Sequence, residues 1–167
     1  MRVDAINDNV TTYIKNIDYV NPWENTILEN YYNSNPASRG SKGEKIVSAI
    51  LTNLGYDVKD RESKNTGHDR IINGVKTEIK FALAAERNTK YGCIFNHVGM
   101  QKDWDEIIFC CINGDLEIRI IKYTKDNLPM NLFNTQQGGK NSNNDDYMCN
   151  STNSKALLFH ENATIIL

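Results

Sequence analysis

One short segment, residues 67–80 with the sequence GHDRIINGVKTEIK, constrains the fold of this chain more than any other. Asn73-Gly74 lies between two apolar runs, and Asn-Gly is the strongest short-range signal for a two-residue β-hairpin because both turn residues need a positive φ. With that turn, Asp69 faces Glu78 across the hairpin, with Cβ atoms roughly 4.5–5.5 Å apart. Side chains alternate along a strand, so Lys80 shares the face of Glu78. The sequence therefore predicts two acids and a lysine on one face.

The charges on that face point to a metal-dependent hydrolase. Like charges opposed across a ladder repel each other, and a close carboxylate pair raises one pKa unless a cation lies between them. Mg²⁺ is commonly held by one or two carboxylates together with water and substrate phosphate. A lysine beside it can orient or deprotonate the attacking water of phosphodiester hydrolysis. The alternative is a surface hairpin whose Asp69, Glu78 and Lys80 are ordinary solvated charges.

These residues resemble the PD-(D/E)XK nuclease signature, and most closely that of type II restriction endonucleases. Asp69 is followed nine positions later by Glu78-Ile79-Lys80, and His68 stands where the family often has proline. The resemblance implies that Asp69 and Glu78 bind Mg²⁺, with Mn²⁺ as a substitute. It also implies that the backbone carbonyl of Ile79 is a further metal ligand and that Lys80 positions the attacking water.

Glu44 has two interpretations. Ser41 precedes it by three residues and an apolar helical pattern follows, ending near Gly55, so the pair fits a capping box at a helix N-terminus. In the family resembled, an acid on this first helix faces the cleft and assists metal binding, which would make Glu44 a catalytic residue. The two roles do not exclude each other.

The element order predicts an α/β (α+β) fold: a restriction-endonuclease-like core with a mixed central β-sheet flanked by helices, preceded by N-terminal helices. Helical spacing favours helices over residues 4–19 and from residue 21 onward, and the run 106–112, apolar on both faces, is typical of a central strand. A second Asn-Gly, at 113–114, predicts another hairpin. The apolar residues near the C-terminus predict a helix end and a last strand. We expect a single domain over residues 1–167, comprising an N-terminal helical segment (1–37), a catalytic core (38–130) and an exposed polar loop or hairpin (131–154).

Two segments carry candidate DNA contacts. Similar restriction enzymes place a helix and DNA-facing side chains where this chain has residues 95–105, and side-chain donors there suit phosphate or base edges: Asn96, His97, Gln101 and Lys102. In the 131–154 loop, Gly138 and Gly139 would let the backbone approach phosphate, and Lys140 offers a cation. For residues 95–105 the alternatives are an ordinary polar connection and a structural role for His97. For residues 131–154 the alternative is a flexible surface insertion.

Composition sets limits on partners and compartment. A net charge of −2 gives no global basic surface, so any DNA-binding face must be local. The four cysteines show no zinc spacing, and Cys110 and Cys111 within an apolar run predict buried thiols in a reducing cytoplasm. No apolar run approaches the roughly 18 residues of a membrane span. We therefore expect a soluble cytoplasmic protein.

The resulting hypothesis is a Mg²⁺-dependent, sequence-specific endonuclease of double-stranded DNA. A homodimer is expected because one such site cuts one strand and a palindrome mirrors a two-fold axis. A restriction role also implies a companion DNA methyltransferase, as a functional partner and not as part of a complex. The alternatives are a structure-selective nuclease of repair or recombination, and a catalytically silent DNA-binding module with a nuclease fold.

Overall fold

The computed structural model describes residues 23–63, 66–84, 91–136 and 146–167. These residues form an α+β fold whose α-helices are α1 (Glu29–Tyr32), α2 (Pro36–Asn53) and α3 (Ser151–Leu158). Its strands are β1 (Val58–Asp60), β2 (Arg70–Ile72), β3 (Val75–Leu83), β4 (Phe95–Gly99), β5 (Glu106–Ile112), β6 (Ile118–Thr124), β7 (Asn134–Thr135), β8 (Asp146–Cys149) and β9 (Thr164–Ile165). Two 3₁₀ turns, Lys125–Asn127 and Met130–Leu132, follow β6. The helix predicted over residues 4–19 lies outside the described residues.

The central sheet is mixed, as predicted. Its strand order is β1-β2-β3-β5-β6-β9. Neighbouring strands are antiparallel except for β3 and β5, which run parallel over seven residue pairs from Thr77↔Glu106 to Leu83↔Ile112. Residues 107–112 of β5 are buried, in agreement with the apolar run on both faces. The last strand returns to the sheet edge beside β6, as the C-terminal apolar residues predicted.

Each face of this sheet has its own apolar core. On one face α2 contributes Val47 and Leu51, which pack with Ile79 and Ile108. The apolar face of β3 therefore packs on the helix that bears Glu44. On the other face, residues of α3, β4 and the segment between β4 and β5 join Phe109 of β5.

Helix α2 begins earlier than predicted. Its N-cap is Asn35, whose side chain accepts a hydrogen bond of 2.9 Å from the N–H of Ala37, with Pro36 at the first helical position. The capping box predicted for Ser41 and Glu44 is therefore wrong, since both residues lie inside the helix. Asn-Pro is itself a helix-start signal, because proline lacks the N–H that the first turn leaves unpaired. The predicted end of the helix near Gly55 is confirmed.

A second sheet, of order β4-β8-β7, replaces the helix predicted within residues 95–105. Phe95 and Val98 are both buried, and the pairing of β4 with β8 shifts register between them. A bulge of this kind adds a residue to one strand, so two apolar residues three positions apart enter the same core. The same spacing occurs on a helix face, which explains why the local pattern does not distinguish the two.

The two later hairpins differ in detail from the sequence prediction. Strands β5 and β6 pair as a hairpin, but their loop has five residues, because Ile112 faces Ile118. Asn113 closes this loop by accepting hydrogen bonds from the N–H groups of Asp115 and Glu117, at 3.0 and 2.9 Å. In the 131–154 segment β7 pairs with β8, which agrees with the hairpin form of that prediction, while Cys149 is buried rather than exposed.

The cysteines agree only in part with the prediction of buried thiols. Cys110 and Cys149 are buried free thiols, and burial raises the pKa of each to about 12. Cys111 forms a disulfide with Cys93, so the prediction of a free thiol at Cys111 is wrong. Among the described residues, no helix combines the length and apolar character that crossing a membrane requires.

Candidate active site

The Asn73-Gly74 hairpin forms as predicted. Both turn residues have positive φ, 51° and 83°, and the two strands pair in the expected register out to Arg70↔Thr77. One step further, the N–H of Asp69 donates a 3.0 Å hydrogen bond to the carbonyl of Thr77. The turn chemistry therefore places Asp69 beside Glu78 at the end of the short strand β2.

Asp69 is held by the strand that carries Glu78. Its Oδ2 accepts a 2.9 Å hydrogen bond from the N–H of Ile79. Burial, and next the charge of Glu78, raise the pKa of Asp69 above its ordinary value, while the Ile79 N–H and the ammonium groups of Lys80 and Lys102 lower it. A carboxylate in this position is oriented but electrostatically unfavourable, and a divalent cation would relieve the repulsion.

Glu78 is almost completely buried, with 2% of its surface exposed. Its Oε1 lies 2.8 Å from Nζ of Lys80, two residues along the same strand. It also lies 3.2 Å from Nζ of Lys102, which comes from the turn between β4 and β5. The sequence predicted the first neighbour from strand alternation. It placed Lys102 among the DNA contacts, since no local pattern links positions 24 residues apart.

Glu44 faces the same site from α2. Burial and then the charge of Asp69 raise its pKa, whereas the guanidinium of Arg70, whose Nη1 lies 3.7 Å from Oε2 of Glu44, lowers it. Nη1 of Arg70 also donates a 2.7 Å hydrogen bond to the backbone carbonyl of Asp69, and Nε lies 3.5 Å from Oδ1 of Asp60. Sequence analysis missed Arg70; its signal is a cation directly after the first acid of the hairpin.

The predicted site residues line a cleft of about 670 Å³. Glu44, Asp69, Glu78 and Lys80 are all part of its lining, together with Ile79. The cleft is also lined by residues of α1 and α2, among them Tyr31, Tyr32 and Arg39, and by Asn96, His97 and Lys102. The cleft thus lies between the helices that cover β3 and the strand β4 with its following turn.

The predicted DNA contacts are distributed unevenly around this cleft. Asn96 and His97 are exposed and line it, whereas Gln101, although exposed on the turn, does not. The N–H of His97 donates a 2.8 Å hydrogen bond to Oε1 of Gln136, and its Nδ1 lies 3.5 Å from Oδ2 of Asp146. His97 therefore ties β4 to the β7–β8 hairpin, in keeping with the structural interpretation. Gly138, Gly139 and Lys140 lie outside the described residues.

The donor set fits a hard divalent cation that takes few ligands from the protein and fills its other positions with water and phosphate. Within the described parts of the chain, no three His, Cys, Asp or Glu side chains are grouped to hold a metal ion. Asp69 and Glu78 form a close carboxylate pair, and Mg²⁺ commonly takes only one or two carboxylates, the remaining positions being filled by water and substrate phosphate. Ile79, the residue after Glu78, donates its backbone N–H to Asp69 and so brings its own backbone to the same place.

Comparisons with known proteins give little direct guidance. No protein-family model and no curated protein matches this chain. A solved structure that resembles part of it is that of a bacterial homing endonuclease, with a TM-score of 0.41 and 11% sequence identity, covering 56% of this chain and 71% of that one. The function of this chain is therefore inferred from the residues of its cleft.

Proposed function

We propose that this protein is a metal-dependent endonuclease that hydrolyses phosphodiester bonds of double-stranded DNA. The observation that carries the proposal is the meeting of Asp69 and Glu78 across the hairpin, with Nζ of Lys80 2.8 Å from Glu78, in the lining of a cleft. Buried like charges are costly, and they concentrate at sites where chemistry requires them.

The carboxylates of Asp69 and Glu78, with the backbone carbonyl of Ile79, would hold Mg²⁺, or Mn²⁺ in its place. When bound, the ion supplies charge neutralisation and Lewis acidity for phosphodiester hydrolysis. Lys80 donates to Glu78 from the same strand face and lines the cleft. We assign to its ammonium the orientation of the attacking water and the holding of a proton at Nζ. Glu44, whose pKa is raised by burial and by Asp69, assists as a third acid.

The cleft also suits a nucleic-acid strand. Its volume, about 670 Å³, lies within the range of sites that take a nucleotide-sized group. Asn96 offers an exposed amide and Lys102 an ammonium at its edge. Phosphate and base edges are the groups that such donors recognise. Because the net charge of the whole chain is −2, this local cluster of donors is what supports a nucleic acid as the substrate. The resemblance to restriction endonucleases favours DNA.

The direct test is cleavage of supercoiled plasmid with and without Mg²⁺. We expect nicked and linear products only with the metal, and none from Glu78→Gln or Asp69→Asn. We also expect Mg²⁺ to raise the Tm of the parent protein, because a ligand that binds only the folded state stabilises it, and to leave the Tm of both variants unchanged. Metal-independent cutting, or equal cutting by Glu78→Gln, would overturn the assignment.

The restriction-type role is the finer part of the proposal. It entails a homodimer, a short palindromic recognition sequence and protection by a companion DNA methyltransferase. Sequencing the ends of digestion products tests it, because a restriction enzyme gives one repeated sequence at every end. Products that instead depend on four-way junctions or flaps would assign the same site to a structure-selective nuclease of repair or recombination.

A further inference from the structure

Glu78 carries two ammonium groups on one oxygen. Lys80 and Lys102 both approach Oε1, at 2.8 and 3.2 Å. With both acids ionised, Asp69 and Glu78 contribute two negative charges, and the two lysines contribute two positive charges. Glu44 and Arg70, whose Oε2 and Nη1 lie 3.7 Å apart, add one charge of each sign. The site is therefore electrically balanced by the protein itself, which weakens the attraction for a divalent cation.

The two lysines are not equivalent. Lys80 lies on the strand that carries Glu78 and its side chain is 16% exposed, whereas the side chain of Lys102 is 39% exposed and its bond is the longer one. An ion pair that is partly open to solvent exchanges its partner more readily than a buried one, because the ammonium can be rehydrated as it leaves. Lys102 is thus the group that can leave Glu78.

The backbone of the turn that carries Lys102 is held by hydrogen bonds at Gly99 and at Lys102 itself, so a change of partner falls to the Lys102 side chain. The buried indole of Trp104 donates a 2.8 Å hydrogen bond to the carbonyl of Gly99, and Nζ of Lys125 donates a 2.6 Å hydrogen bond to the carbonyl of Lys102. The aliphatic part of Lys102 lies over Gly99, where an added Cβ would meet Cε at 3.0 Å and Cδ at 3.1 Å. The absence of a side chain at Gly99 therefore allows Lys102 to reach Glu78.

We propose that Lys102 is a substrate-sensing positioning residue for the metal site, an inference that rests on the proposed nuclease function. In the DNA-free protein its ammonium occupies Oε1 of Glu78, an interaction that we name the Lys102 latch. A DNA phosphate entering the cleft takes this ammonium as its own partner, and Glu78 is released to the metal. The remaining groups, Asp69, Glu78 and Lys80, then carry one surplus negative charge.

This exchange couples the binding of DNA to the binding of metal. The coupling is reciprocal by thermodynamic necessity, so bound metal must strengthen DNA binding by the same factor. A substitution that opens the latch without DNA removes the competitor for Glu78 and should strengthen metal binding to the free protein. The device would make metal binding tighter in protein that already holds a phosphate backbone.

The test is Mn²⁺ binding to DNA-free protein, measured by titration calorimetry, for the parent, Lys102→Met and Lys122→Met. Lys122 is the matched control, because it also forms an ion pair within the sheet, with Glu106 at 2.8 Å, and does not line the cleft. We expect Lys102→Met to bind Mn²⁺ roughly tenfold more tightly than the parent, and Lys122→Met to bind it equally. With EDTA present, Lys102→Met should bind duplex DNA more weakly, with the slope of log K against log salt reduced by about 1.

Gly99→Ala tests the latch without removing a charge. The added methyl forces the Lys102 side chain to shift by a few tenths of an ångström, which strains its 3.2 Å contact with Glu78. Mn²⁺ binding should therefore tighten, by less than in Lys102→Met, while DNA binding in EDTA is retained. If the parent binds Mn²⁺ through Glu78, as loss of binding in Glu78→Gln would show, but Lys102→Met and Gly99→Ala match the parent, the latch is wrong and the proposed function stands. A parent that binds no millimolar Mn²⁺ beside a Lys102→Met protein that does bind it supports the latch. If neither protein binds millimolar Mn²⁺, with or without duplex DNA, the latch and the metal-dependent function are overturned together.

Discussion

Ile79 donates its backbone N–H to Oδ2 of Asp69 at 2.9 Å, so the residue between Glu78 and Lys80 fixes the acid of the opposite strand. This bond favours the charged form of Asp69, against burial and the charge of Glu78, which favour the neutral form. The backbone of β3 thus orients an acid whose ionisation remains unfavourable. Such a carboxylate is suited to bind a cation.

Lys80→Ala should abolish cleavage and leave DNA binding largely intact. The ammonium touches the carboxylate of Glu78 and lines the cleft, so its loss removes a positive charge where phosphate charge develops. We expect a fall of at least about 100-fold in the cleavage rate, measured on plasmid in Mg²⁺, with duplex affinity within a few-fold of the parent. Lys122→Ala, which also removes one ammonium from an ion pair, serves as the control. A Lys80→Ala protein that cuts at the parental rate would exclude Lys80 from the mechanism.

Asp69→Asn should stabilise the metal-free protein at neutral pH. The pKa of Asp69 is raised by burial and by Glu78, so the folded state resists ionisation and loses stability as the pH rises through that raised pKa. Asparagine keeps an oxygen for the Ile79 N–H but carries no charge. We expect a gain on the order of 1 kcal/mol near pH 8, or roughly 2–4 °C in Tm, in EDTA.

The pH dependence of that gain identifies its cause. The difference in Tm between Asp69→Asn and the parent should shrink as the pH falls toward 3.8, the ordinary pKa of aspartate, because both proteins are then neutral at this position. Calorimetric scans between pH 4 and 8 measure it. A gain that is constant over this interval, or a loss of stability at pH 8, would show that the charge of Asp69 is not the destabilising feature.

The parts of this site that the sequence predicted are those set by local chemistry. Asn73-Gly74 selects a two-residue turn because both positions adopt positive φ, and strand alternation then places Glu78 and Lys80 on one face. The central position of β5 follows from an uninterrupted apolar run. In each case the neighbours that decide the outcome lie within a few residues in the chain.

The parts that it did not predict depend on contacts between distant residues. Strand β4 forms because it pairs with β8, about 50 residues later, and its bulge gives Phe95 and Val98 a spacing that a helix shares. The approach of Lys102 to Glu78 depends on how the turn after β4 is anchored by Trp104 and Lys125. The start of α2 is a different kind of error, since the Asn-Pro signal is local and competed with a second plausible cap at Ser41.

Glu44→Gln should slow cleavage without weakening the helix. Glu44 lies inside α2 and faces the cleft, so the substitution removes an acid near Asp69 and no N-terminal cap. We expect a fall of about tenfold in the cleavage rate. The midpoint in urea should not fall at neutral pH, because the raised pKa of Glu44 means that its charge opposes folding there. Asn35→Ala is the matched variant, since it deletes the actual cap and should cost about 1 kcal/mol of unfolding free energy at an unchanged cleavage rate. A Glu44→Gln protein that unfolds at lower urea and cleaves at the parental rate would give Glu44 a structural role only.

Gly43→Ala should separate α2 from β3 and weaken both stability and cleavage. An added Cβ at Gly43 would lie 2.7 Å from Cβ of Phe81, so the helix must move away from the strand that carries Glu78. Overpacking of this kind costs roughly 1–3 kcal/mol, and here it also displaces Glu44 from the cleft. Gly40→Ala, one turn earlier with open space around its Cβ, should instead stabilise by about 0.5–1 kcal/mol, because alanine favours a helix. Urea unfolding of the two variants measures the contrast, and equal stabilities would refute the close approach at Gly43.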